Sequence, residues 1–177
     1  GRVSEDLLSL LEQEFCTRAG RYEQSREILE RLWEDDPLNA VICNNLAWVY
    51  AILGERLDHA QELAESAVIL SSDPSGSRNT LGAIYARRGD WRKAEKAFRE
   101  ALAADDRPSH QAANQFFLGL CEYQLGRREA AVSRWRAAQK IEADPESSRW
   151  IRRALELQER GEPVTGAIFV ESGPGGP

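Results

Sequence analysis

At 177 residues, 42% apolar and 29% charged, the chain can bury a real core and does not have a disordered composition. A net charge of -6 and a pI near 5.1 argue against general nucleic-acid binding, which needs a basic face. No apolar run is long enough to span a bilayer, so no membrane insertion is expected. Arg far outnumbers Lys, as in products of GC-rich bacterial genes. The absence of Met and the opening Gly1 read as a piece cut from a longer protein.

The first predicted helix pair runs from about Ser4 to Asp36. Leu7, Leu8, Leu10, Leu11 and Phe15 make one apolar face, and Ile28, Leu29 and Leu32 make the second. Polar Glu12 and Gln13 in its first helix suit a terminal unit with a solvent face. The second pair, from about Leu38 to Ser72, carries Leu46, Ala47 and Tyr50, then Gly54, then Ala60, Ala64 and Ala67. The third, Asp73 to Pro108, carries Leu81, Gly82 and Tyr85, then Gly89, then Ala94, Phe98 and Ala101. Gly89 ends a helix where a left-handed residue is needed, and Asp90 is placed to cap the next helix through its carboxylate. The fourth pair, Ser109 to Ala143, repeats Leu118, Gly119, Gly126, Ala131, Trp135 and Ala138, with Tyr123 one position late.

Asp144 and Pro145 make a helix start. Ile151, Ala154, Leu155 and Leu157 follow on one amphipathic helix ending at Gly161. Residues 1–161 therefore form one unit, and residues 162–177 an extended Gly/Pro-rich tail. The tail's one apolar grip is Ala167, Ile168, Phe169 and Val170, expected to dock on the last helix or in a groove.

Gly20, Gly54, Gly89 and Gly126 are separated by 34, 35 and 37 residues, while spacing inside the helices stays constant. The extra residues are expected in connections: one between Gly54 and Ala60, three between Ala101 and Leu118. The Leu-Gly, Tyr, Ala and Phe anchors of the third pair resemble the tetratricopeptide repeat. The resemblance covers about residues 4–160. It implies an all-α, right-handed superhelical solenoid of about four helix-turn-helix repeats plus a C-terminal capping helix.

The resemblance also implies that first helices line a groove for a protein or peptide segment. The candidate lining is Asn44, Asn45, Trp48 and Ile52, then Asn79, Ala83 and Arg87, then Phe116, Leu120, Tyr123 and Gln124. Asn amides can pair with both polar groups of a peptide backbone, and aromatic side chains supply anchors. Trp48, Tyr123 and, above all, Phe117 have inter-repeat core as the alternative. The carboxylate clamp of one branch of the family needs paired lysines that Lys93, Lys96 and Lys140 do not supply.

No catalytic or metal-ligating set is visible: His59 and His110 lie in different repeats, without ligand spacing. No enzyme activity and no cofactor are expected. Cys16, Cys43 and Cys121 each lie in an apolar helical run and read as buried free thiols of a reducing, cytoplasmic compartment. A protein-binding scaffold is the first functional expectation, and a structural or regulatory segment of a larger enzyme or secretion machine is the alternative. Residues 1–77 carry 6 Lys/Arg and 15 Asp/Glu, a balance of -9, while residues 78–160 carry 17 and 12, a balance of +5. That polarity predicts weak, salt-sensitive head-to-tail self-association.

Overall fold

The computed structural model describes residues 2–105, 107–141 and 145–165. The described residues form nine helices and no strand. Four antiparallel hairpins follow one another: α1 (Arg2–Arg18) with α2 (Tyr22–Asp35), α3 (Ala40–Leu53) with α4 (Leu57–Leu70), α5 (Ser75–Arg87) with α6 (Trp91–Ala104), and α7 (Pro108–Gln124) with α8 (Arg128–Ala138). α9 (Pro145–Glu159) packs on both α7 and α8. Each second helix also touches the first helix of the next hairpin, which builds the solenoid. The predicted last apolar segment, Ala167 to Val170, and the predicted cap Asp144 lie outside the described residues.

The periodic glycines work as expected. Gly20, Gly54, Gly89 and Gly126 all have φ between 71° and 83°. In each turn the residue after the Gly donates its N–H five residues back, as Arg21 does to Cys16 O (2.8 Å) and Asp90 to Tyr85 O (2.9 Å). This is the Schellman closure, which satisfies carbonyls that the helix end leaves open. The extra residue before Ala60 is absorbed by Arg56, whose φ of 45° is the only positive value at a non-Gly residue among those described. Asp90 does not act as the expected cap: its side chain accepts no bond from the α6 N–H groups. It lies 3.7 Å from Lys93 Nζ instead.

The three extra residues before Leu118 were expected in a loop but lengthen a helix. α7 has 17 residues against 13 in α5, and Asp105 to Arg107 is all that separates it from α6. Pro108 at the first helical position permits the early start. Asp105 secures it by accepting the backbone N–H of Arg107 (3.0 Å) and bonding His110 Nδ1 (2.5 Å) in the added turn.

Inside each hairpin, one position of the first helix faces one position of the second, and their sizes are complementary. A Cβ on Gly82 would come within 2.7–2.8 Å of the Phe98 ring, and one on Gly119 within 2.3 Å of Trp135 Nε1. The second hairpin carries Ala47 and Ala64 in register with these pairs, both fully buried. In the first hairpin Gln13 stands in the Gly position and is buried. It donates to Thr17 Oγ1 (2.8 Å) and Ser25 Oγ (3.2 Å), and its carbonyl accepts from Asn45 (3.3 Å), so the polar group has partners. The late Tyr123 has a cause too. Glu122 occupies the Tyr register, buried, and Arg134 grips it through two nitrogens at 2.6 and 2.9 Å.

The N-terminal hairpin departs from expectation. Leu10 packs on the core, but Leu7, Leu8, Leu11 and Phe15 are 54–65% exposed. Helical periodicity locates an apolar face; it does not supply what covers it. The three thiols are buried and unbridged, and burial pushes Cys121 up to about 12.

Candidate peptide-binding groove

The first helices converge on a cleft of about 300 Å³. Asn44, Asn45 and Trp48 come from α3, Ser75, Gly76, Asn79 and Thr80 from α5, His110, Ala113, Asn114 and Phe117 from α7, and Ser147 and Trp150 from α9. Asn79 stands a full turn inside α5, as Trp48 does inside α3, so these lining residues are held by rigid elements rather than by loops.

A polar ladder crosses the cleft. Thr80 Oγ1 donates to Asn44 Oδ1 (2.8 Å), Asn44 Nδ2 to Asn45 Oδ1 (3.5 Å), Asn45 Nδ2 to Gln13 Oε1 (3.3 Å), and Asn79 Nδ2 to Asn114 Oδ1 (2.6 Å). The amides thus tie neighbouring repeats together, Asn44 and Asn45 through both their oxygen and their nitrogen and Asn79 through its nitrogen alone. The Oδ1 of Asn79 and its second N–H have no partner among the described residues, and the side chain is only partly buried.

The floor is aromatic. Phe117 stacks on Phe98 (4.7 Å between centroids, 4° between planes), receives the edge of Trp48 (6.2 Å) and touches Trp150 (5.5 Å). Phe117 is 1% exposed, whereas Trp48 is only partly buried. Trp48 therefore is the aromatic side chain a ligand can reach, and Phe117 holds it in place. Beyond Trp48 and Asn45 the cleft continues into a shelf of about 480 Å³ lined by Leu7, Leu10, Leu11 and Val41.

The opposite end holds one buried carboxylate with its cationic and polar partners. Asp105 is 7% exposed and bonds Arg107, His110 and Ser75. The Arg107 guanidinium, against the opposing effect of burial, holds its carboxyl well below the usual carboxylate range; the Arg107 N–H and His110 add to this. Ser75 and His110 both bond the carboxylate rather than each other, so the three do not form a nucleophile-base relay. Among the described residues no group of His, Cys, Asp or Glu could hold a metal ion, and no helix is long and apolar enough to cross a membrane.

Of the predicted lining, Asn44, Asn45, Trp48 and Asn79 meet in the cleft. Ile52, Ala83, Phe116 and Leu120 are buried, at 0–4% exposure, and belong to the inter-helix core. Arg87 folds its guanidinium against Gly54, filling the space a Cβ there would need. Tyr123 lies on Trp135 (6.0 Å) beneath Arg128, and Gln124 donates to Val164 O (2.6 Å). These last three stand outside the cleft. Thr80, beside Asn79 on the expected inward face of α5, also lines the cleft, whereas Ser75, Asn114 and Trp150 were not foreseen. Asn114 stands four residues before Leu118, one turn up the same face, and that spacing was the available signal.

Residues 75–141 match the family model described as tetratricopeptide repeat. No curated protein matches the chain. Among solved structures, PilF of Pseudomonas aeruginosa is similar at 20% identity, over 91% of this chain and 72% of that one, with a TM-score of 0.66. A mutant of MamA is similar at 20% identity over 91% of each chain, with a TM-score of 0.60. MamA MSR-1 is similar at 18% identity over 96% and 94%, with a TM-score of 0.58. At these identities the likeness is one of fold.

Proposed function

We propose, from the premise that this is a tetratricopeptide-repeat chain matching that family over residues 75–141, that it is a protein-interaction scaffold whose cleft grips a segment of a partner protein. The observation that carries this reading is the half-satisfied amide of Asn79 beside the accessible Trp48, above a buried floor of stacked aromatic rings. A peptide backbone offers an N–H and a C=O at every residue, and an Asn side chain can pair with both. Such pairing gives affinity with little dependence on side-chain sequence. The aromatic face beside it takes one apolar side chain of the segment, and the aliphatic shelf takes the next.

The experiment selects binders from a random peptide library on the wild-type chain and titrates them calorimetrically onto variants. Asn79→Ala and Trp48→Ala each weaken the selected peptides by about 1–3 kcal/mol, roughly five- to 150-fold in Kd. Peptides that bind both variants as tightly as wild type would place recognition elsewhere.

A further inference from the structure

The two ends of the array differ in what they leave open. At one end α1 exposes Leu7, Leu8, Leu11 and Phe15 at 58, 65, 54 and 64%. On a helix these four fall within an arc of about 100°, a ridge of the kind that packs into another pair of helices. At the other end α9 touches α7 and α8 as the first helix of a fifth hairpin would. No described second helix follows it. A cleft of about 710 Å³ lies between α8 and α9, with Val132, Ala137 and Leu155 in its lining.

The charges fit as well. The cleft carries Arg128, Arg136 and Lys140 against Glu129 and Glu159. Glu12 and Glu14 are exposed on α1 beside the apolar ridge, and Glu14 is shared with Arg18 at 2.6 Å. Over longer range, residues 1–77 hold a balance of -9 and residues 78–160 one of +5. Opposite fields at opposite ends steer a second copy into one orientation and repel the reversed one.

We infer that a second copy of this chain is the occupant: the α1 ridge of one copy seats in the α8/α9 cleft of the next. The contact joins two different surfaces, so it builds open head-to-tail oligomers rather than closed dimers. It uses neither Asn79 nor Trp48; it shares Leu7 and Leu11 with the aliphatic shelf, and Leu8 and Phe15 lie outside that shelf, so changes there separate the two readings.

Sedimentation velocity over a range of concentrations tests it, with two variants changed only at exposed positions. Leu8→Glu with Phe15→Glu spoils the ridge; Arg136→Glu with Lys140→Glu spoils the cleft. Wild type forms a concentration-dependent ladder at about 0.05 M salt, and its association weakens roughly tenfold at about 0.5 M. Each variant, checked as folded by circular dichroism, stays monomeric alone. Their equimolar mixture forms a one-to-one dimer and nothing larger, because one intact ridge meets one intact cleft. A wild type that is monomeric at every concentration and salt overturns the proposal. So does a cleft variant that associates as wild type does, since that result means ridge-to-ridge pairing.

Discussion

Gly82→Ala is the sharpest probe of how these hairpins close. In an unhindered helix this change stabilises, because Gly is about 1 kcal/mol worse than Ala in a helix interior. Here the new methyl would meet three atoms of the Phe98 ring at 2.7–2.8 Å, well inside van der Waals contact of about 3.5–4.0 Å. The ring cannot tip away freely, since Phe117 is stacked on it at 4.7 Å. Overpacking of this kind costs about 1–3 kcal/mol, so the net effect is destabilisation by about 1 kcal/mol, with an upper bound near 2. Phe98→Ala alone costs about 3–5 kcal/mol. In that background the same Gly82→Ala changes sign and stabilises by up to about 1 kcal/mol, because the pair then reproduces Ala47 and Ala64 of the second hairpin. Urea denaturation of the four proteins in this cycle measures the coupling. Should Gly82→Ala stabilise the otherwise wild-type chain, the steric account of the Leu-Gly anchor is wrong.

Three further outcomes are expected. Asp105→Asn destabilises by about 1.5–3 kcal/mol near neutral pH, the range for charge-assisted hydrogen bonds. Because the folded carboxyl is held below its unfolded value near 3.9, that advantage is complete above about pH 5 and shrinks as pH falls below 4; melts of both proteins from about pH 6 to pH 2 show the gap closing. Arg134→Ala costs more than Glu122→Ala in denaturation, because Glu122 is 6% and Arg134 28% exposed, and the carboxylate is the charge left stranded. Cys121, whose thiol is pushed up to about 12 by burial and then by Glu95 and Glu122, resists a thiol reagent at about pH 8 in the folded chain and reacts in denaturant, as read by mass spectrometry.

The array was legible because its turn glycines and hairpin anchors obey steric rules that a sequence displays directly: a left-handed closure at Gly89, a missing Cβ under Phe98. What stayed hidden depends on neighbours. Pro108 reads equally as a loop residue or a helix start, and Asp105 decides between them from outside the helix. Glu122 takes the place of a Tyr only because Arg134, twelve residues on, neutralises it. The groove was half legible. Helical offset put Asn45, Asn79 and Trp48 on the right face, but it could not tell that on α7 Phe116 packs against Trp135 of α8 and Trp150 of α9 and that Leu120 is buried.

Val164, fully buried, with its carbonyl bonded to Gln124, has a mechanical consequence. The bond joins the end of α7 to the strand of chain leaving α9 and closes a loop around α8 and α9. Tension drawn on residue 165 reaches α7 first and passes by α9, so α9 does not peel off like the last page of a pad. Releasing Gln124 frees a whole block of the array at once. Stacked repeats ordinarily loosen one unit at a time, and this clasp couples the loosening of α9 to that of α7.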